Sequence, residues 1–177
     1  LINFTLFDED GVGLNKSIVF TFNNQEYSVQ LINGKGNKVM PNFNAGKYEI
    51  KSNYTSEDFF YNNATASCNV TVFKAKTNIV LTVTNVTYGE NVTLKAYIGD
   101  EFEYEDLYFT IVNSTLVDNE PVPVDENGNA YLTLQNWNAG DYTLIVEFKG
   151  NDNYNGTTSN ASFTVFKKEA TMNITAP

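Results

Sequence analysis

Apolar residues fall on every second position in run after run of this chain. Ile79, Leu81 and Val83; Val92, Leu94, Ala96 and Ile98; Leu107, Phe109 and Ile111; Tyr142, Leu144, Val146 and Phe148; and Ala161, Phe163 and Val165 all keep that period. A period of two buries one face of a β-strand and leaves the other wet. A helix needs apolar residues at i, i+3, i+4 and i+7, and no window carries that stripe. Asp10-Gly11, Asn33-Gly34, Asn127-Gly128 and Asn155-Gly156 separate the runs with turn chemistry. The 26 asparagines and 19 threonines push the same way, since neither favours a helix interior and threonine suits a strand. The pattern predicts an all-β sandwich of short strands.

Composition then removes whole classes of function. The 177 residues are 42% hydrophobic and 14% aromatic, enough to build real cores. There is no histidine, and all 11 basic residues are lysine. Ser-His-Asp and Cys-His machinery, His-ligated zinc and arginine clamps on phosphate are therefore absent. A net charge of −10 argues against nucleic acid, which needs a basic face. Cys68 is the single cysteine and can form no disulfide within the chain. No apolar run approaches the length of a membrane-spanning helix. Leu1 is not an initiator methionine and no signal peptide follows it, so the sequence reads as a segment of something longer.

The sequence also repeats itself. Asn44-Ala45-Gly46-Lys47-Tyr48-Glu49-Ile50 matches Asn138-Ala139-Gly140-Asp141-Tyr142-Thr143-Leu144. Asn69 to Lys74 matches Ser162 to Lys167, and Asn3-Phe4-Thr5-Leu6 matches Asn91-Val92-Thr93-Leu94. The matches predict tandem Ig-like Greek-key β-sandwiches. Residues 1–74 form a copy lacking its first strand. Residues 75–167 form a complete copy, with strand A at Thr77–Val83, B at Asn91–Ile98, C at Leu107–Val112, E at Tyr131–Gln135, F at Asp141–Phe148 and G at Asn160–Phe166. Residues 168–177 align with the first strand of a further copy. The linkers at Lys74-Ala75-Lys76 and Lys167-Lys168-Glu169 hold no flexible Gly/Ser run, which fits a semi-rigid stalk.

The Asn-Ala-Gly-x-Tyr-x-Ile/Leu motif resembles the tyrosine corner of Ig sandwiches, in which a Tyr at the start of strand F bonds back to upstream backbone. That makes Tyr48 and Tyr142 structural braces. Tyr88-Gly89-Glu90-Asn91-Val92-Thr93-Leu94, Asn138 to Tyr142, Asn151-Asp152-Asn153-Tyr154-Asn155 and Phe163-Thr164-Val165 together resemble the Ig-like repeats of archaeal, especially methanogen, adhesin-like surface proteins, which are related to bacterial Ig-like repeats. The resemblance implies an extracellular stalk of sandwiches, non-enzymatic, whose partners are neighbouring Ig-like repeats and a protein or carbohydrate of another cell.

Other residues invite a site. Trp137, the single tryptophan, would make a stacking platform for a sugar; Phe43 stands at the same place in the first copy, which favours packing. The runs Asp8-Glu9-Asp10, Asp100 to Asp106 and Asp125-Glu126-Asn127-Gly128-Asn129 carry the hard oxygen donors calcium takes, although Ala130 stands where an EF-hand loop needs glycine. Solvated loops are the expected reading, with no cofactor. Eleven Asn-x-Ser/Thr triplets occur, and Asn69, Asn91 and Asn160 have the outward parity that glycan attachment requires. The leading function is a structural and adhesive module of a cell-surface protein. The alternative is an accessory carbohydrate-binding module of a surface glycosidase.

Overall fold

The computed structural model describes residues 1–56, 60–112 and 116–176; the acceptor Asn113 and the terminal Pro177 lie outside them. The described chain is all-β apart from a short 3-10 turn at Asp100–Phe102. It divides into two compact units, Leu1–Lys74 and Ala75–Pro177.

Unit 1 contains β1 (Ile2–Thr5), β2 (Ser17–Phe22), β3 (Gln25–Gln30), β4 (Lys35–Lys38), β5 (Gly46–Tyr54) and β6 (Ala64–Val72). One sheet is β3-β2-β5-β6 and the other is the pair β1-β4. Asn23 and Asn24, both in the left-handed region (φ 50° and 59°), join β2 to β3. Two such residues in a row make the tight hairpin turn whose twist matches its strands. Phe4, Ile18, Phe20, Phe22, Leu31 and Ile50 fill the space between the sheets.

Unit 2 contains β7 (Val80–Thr82), β8 (Val86–Thr87), β9 (Val92–Tyr97), β10 (Asp106–Val112), β11 (Glu120–Pro123), β12 (Asn129–Leu134), β13 (Gly140–Phe148) and β14 (Thr157–Phe166). The sheets run β12-β9-β7 and β11-β10-β13-β14-β8. The chain changes sheet from β9 to β10 and from β12 to β13, which is the Greek-key habit of Ig sandwiches. Alternation does what it predicts: Val92, Leu94 and Ala96 are buried on β9, and Leu107, Phe109 and Ile111 on β10. Each of the larger side chains contributes about 1.5–3 kcal/mol by leaving water.

Two expectations need correcting. The first strand of unit 2 is not one strand over Thr77–Val83. β7 pairs antiparallel with β9, and after a three-residue crossing β8 pairs parallel with β14. The side chain of Asn85 holds that crossing by accepting from the Thr164 N–H at 2.9 Å. The match of Asn3–Leu6 to Asn91–Leu94 is also not the structural equivalence. Leu6 N–H donates to the Gly34 carbonyl (2.9 Å) as Ile98 N–H donates to that of Gly128 (3.0 Å). Both carbonyls belong to the second residue of an Asn-Gly turn, so Leu6 stands with Ile98 and Phe4 with Ala96. A short polar/apolar alternation matches itself at many shifts, and only the ladder fixes the register. Residues 170–176 pair with no strand among the described residues.

Candidate functional site

The two tyrosine motifs make the same local hydrogen bond. Tyr48 Oη donates to the Asn44 carbonyl at 2.8 Å and Tyr142 Oη to the Asn138 carbonyl at 3.0 Å. Each ring then packs on the core: Tyr48 against Phe22 and Phe43, Tyr142 in a stack with Phe163. The glycine two residues earlier faces the ring, with the Tyr142 hydroxyl 3.4 Å from where a Gly140 Cβ would sit. Tyr142→Phe should therefore cost on the order of 1 kcal/mol, the net worth of one hydrogen bond, with the fold unchanged. Chemical denaturation followed by Trp137 emission measures it; a loss beyond about 3 kcal/mol would mean that the hydroxyl holds more than this carbonyl.

Trp137 is 8% exposed and belongs to the unit 2 core. It meets Tyr142 edge to face at 5.7 Å. Its Nε1 is buried without a partner among the described residues. The sugar-platform reading is corrected here: stacking requires an open indole face, and this one is packed inside. Phe43 does the same in unit 1, edge-on to Phe22 at 4.5 Å.

The leading carboxylate in two of the candidate calcium loops is engaged with backbone. Asp125 Oδ1 accepts from the N–H groups of Asn127 and Asn129, each at 2.9 Å. Asp8 Oδ1 accepts from Asp10 and Val12 in the same pattern. Such Asx turns rigidify a hairpin without any metal. The Asn129 N–H, foremost, and that of Asn127 hold the Asp125 carboxyl below its ordinary value of 3.8. A depressed carboxyl contributes stability above its unfolded value, and that contribution disappears as pH falls through the folded one. Asp125→Ala should thus destabilise unit 2 at neutral pH and flatten its acid limb below about pH 3.8. Parallel acid titrations of parent and variant by Trp137 emission check this; equal slopes below that pH would refute it.

Asn69, Asn91 and Asn160 are all exposed. The motif Asn151 to Asn155 is a loop brace. Asn151 Oδ1 accepts from Asn153 and Tyr154, its Nδ2 donates to Glu105 at 2.7 Å, and Tyr154 packs on Phe102. The same loop grips the start of the unit, since Ala75 N–H donates to Asn153 and Ala75 accepts from Asn155.

Sequence reasoning passed over one feature. The outer face of β12-β9-β7 carries Tyr97 (45% exposed), Tyr131 (50% exposed) and Val80. Tyr97 lies opposite Asn129 and Val80, and Tyr131 opposite Lys95, whose Nζ sits 5.5 Å from the Tyr131 ring centre. The odd parity of these tyrosines against buried Ala96 and Ala130 was the signal available.

Residues 79–166 match the family model of the bacterial Ig-like domain (group 3), and this stretch is an Ig-like domain. No curated protein matches the sequence. Solved structures similar to the chain include a protein described as membrane-anchored from Corynebacterium diphtheriae (11% identity, TM-score 0.44, 97% of this chain and 50% of that one). The fibronectin(III)-like modules of Clostridium thermocellum CbhA are similar at 12% identity and TM-score 0.40, over 98% of this chain and 90% of that one. The Yersinia pseudotuberculosis adhesin InvE is similar at 13% identity and TM-score 0.36, over 95% and 58%. The chain thus spans half the length of the Corynebacterium protein. No helix among the described residues is long and apolar enough to cross a membrane.

Proposed function

We propose that the chain is a non-enzymatic structural segment of an extracellular, archaeal cell-surface adhesin, made of two Ig-like copies that act as a stalk. The observation that supports this reading most is how the distinctive residues are used. Tyr48 and Tyr142 brace corners, Trp137 fills the core, Asp125 and Asn151 close loops, and Ala75 is bonded into unit 2 one residue after unit 1 ends. Side chains spent on rigidity are what a load-carrying module needs. Asn69, Asn91 and Asn160 stand outward as acceptors for glycans. The partners of such a segment are neighbouring Ig-like domains and a protein or carbohydrate of another cell. Antibodies against the chain should label intact, unpermeabilised source cells, and protease shaving should remove the label. Label seen only after permeabilisation would overturn the surface assignment.

The exposed Tyr97 and Tyr131 favour a second reading, a carbohydrate-binding module. Two aromatic rings on a flat sheet face fit the apolar faces of successive sugar rings. Retention of the chain on insoluble polysaccharide, lost on Tyr97→Ala with Tyr131→Ala, would select this reading over the stalk.

A further inference from the structure

The acidic run Asp100 to Asp106 ends on one side of a small pocket in unit 2. Just after the 3-10 turn at Asp100–Phe102, Tyr104 takes a φ of 69°. A bulky L-residue occupies that region only where its surroundings hold it. Here the Tyr104 N–H donates to the Val124 carbonyl at 3.1 Å, and the Val124 N–H to the Glu105 carbonyl at 2.9 Å. The held backbone does not bury the ring, which is 85% exposed. Packing therefore does not account for a tyrosine at this position.

Beside that ring lies a pocket of about 170 Å³ whose lining includes Tyr104, Glu105, Asp106, Tyr108, Phe148 and Lys149. At about 30 Å³ per water it has room for roughly six water molecules, or for one small ring. Its walls are fixed from behind. Phe148 is buried and meets Phe102 edge to face at 5.3 Å. Asn151 Nδ2 holds Glu105 by donating to its Oε1 at 2.7 Å. Lys149 Nζ sits 3.2 Å from the Tyr108 ring centre and forms no ion pair among the described residues. An ammonium has three donors, so this one keeps N–H groups for a ligand.

The lining selects the chemistry of that ligand. Lys149 can only donate, and ionised Glu105 and Asp106 can only accept. An anion would meet the carboxylates. A cation would meet Lys149, which already covers the Tyr108 ring. A neutral molecule with several hydroxyls answers both kinds of group, because each hydroxyl donates and accepts. The open Tyr104 ring adds an apolar surface on which the C–H face of a ring can stack. A few convergent polar groups beside an aromatic wall are the usual make-up of a small-ligand site.

We propose that this pocket of unit 2 binds one neutral sugar ring, its apolar face on Tyr104 and its hydroxyls between Lys149 and the carboxylates of Glu105 and Asp106. The site is distinct from the Tyr97 and Tyr131 face. Tyr108 lies on β10 in the five-stranded sheet, whereas Tyr97 and Tyr131 lie on β9 and β12 in the three-stranded one. It stands on the pocket's own geometry and not on the surface location or the stalk.

The test titrates methyl glycosides of glucose, galactose and mannose into the full chain and follows its backbone amides by NMR. At least one probe should shift the Tyr104, Asp106 and Gly150 amides and saturate with a Kd on the order of 1 mM, as expected of one small ring. Tyr104→Gly removes the ring and accepts the left-handed backbone without strain. It should weaken binding about tenfold or more while the Trp137 denaturation midpoint does not fall. Tyr104→Phe keeps the ring and should bind as the parent does. Lys149→Met keeps the stem, loses the donors and should also weaken binding about tenfold, and it carries the test if Tyr104→Gly unfolds. The Tyr97→Ala/Tyr131→Ala double variant should leave these shifts unchanged. The proposal is overturned if no probe moves these amides at roughly a hundred times that Kd, if glycerol, a polyol without a ring, moves them equally, or if binding is unchanged in either weakening variant that folds. Shifts confined to the Tyr97 and Tyr131 face would overturn it as well, and would leave the carbohydrate-module reading standing. Cells that fail to show surface label overturn the surface assignment and leave these outcomes as they are.

Discussion

Phe109→Ala should unfold unit 2 under conditions in which unit 1 is still folded. Phe109 is fully buried at the centre of β10, opposite Val146 of β13, within a core that also holds Leu94, Leu107 and Leu144. Truncating such a ring costs about 3–5 kcal/mol, the lost transfer energy plus the cavity left behind. A domain of this size has about 5–15 kcal/mol in total, so the loss is roughly a fifth of it or more. Trp137 is the only tryptophan and lies in unit 2, so its emission follows this unit alone. In denaturant, the Trp137 midpoint should fall steeply. Exchange of the Phe20 and Leu31 amides, which belong to the fully buried part of unit 1, should keep its protection. A chain that unfolds as one cooperative body would lose both together, and that result would refute the division at Lys74.

The strands were legible because a sandwich imposes period two on every element with one wet face. Val92 to Ile98 and Tyr142 to Phe148 could hardly be anything else. The tyrosine corners were legible for a different reason: the hydrogen bond spans four residues, from Tyr142 back to Asn138, so its whole geometry sits in one local motif. What stayed hidden depends on distant neighbours. Nothing local to Thr84 and Asn85 says that the chain crosses there between sheets; that follows from the bond to Thr164, far along the sequence. Trp137 could be packed or open in sequence alone, and its burial is a property of the Tyr142 and β14 surfaces around it. Strand β6 of unit 1 is the extreme case. Ala64, Ala66 and Cys68 have the small size and inward parity of core residues, yet they are exposed because the described residues put no strand across them. Sequence gives the side a residue faces, and only its neighbours decide whether that side is dry.

The same dependence on neighbours makes Gly128→Ala the most damaging one-carbon change expected in unit 2. Gly128 closes the Asn127-Gly128 turn with φ of 75°, a region that costs an L-residue about 1–2 kcal/mol. Strain is the smaller part. A Cβ there would lie 2.3 Å from the Gly99 carbonyl carbon, 2.5 Å from its oxygen and 2.7 Å from the Asp100 nitrogen. These are backbone atoms and cannot rotate aside. Separating the two turns would break the bond from Ile98 N–H to the Gly128 carbonyl, at the end of the β9–β12 ladder. The combined loss should exceed about 3 kcal/mol, at the level reserved for core defects. Gly89→Ala is the matched control. Its φ is 97°, but nothing lies within 4 Å of its Cβ position. It should lose only the backbone term, about 1 kcal/mol. Denaturation of both variants by Trp137 emission gives the difference directly. If the two substitutions cost the same, the close approach of Gly128 to Gly99 contributes nothing, and the left-handed turn alone explains the glycine.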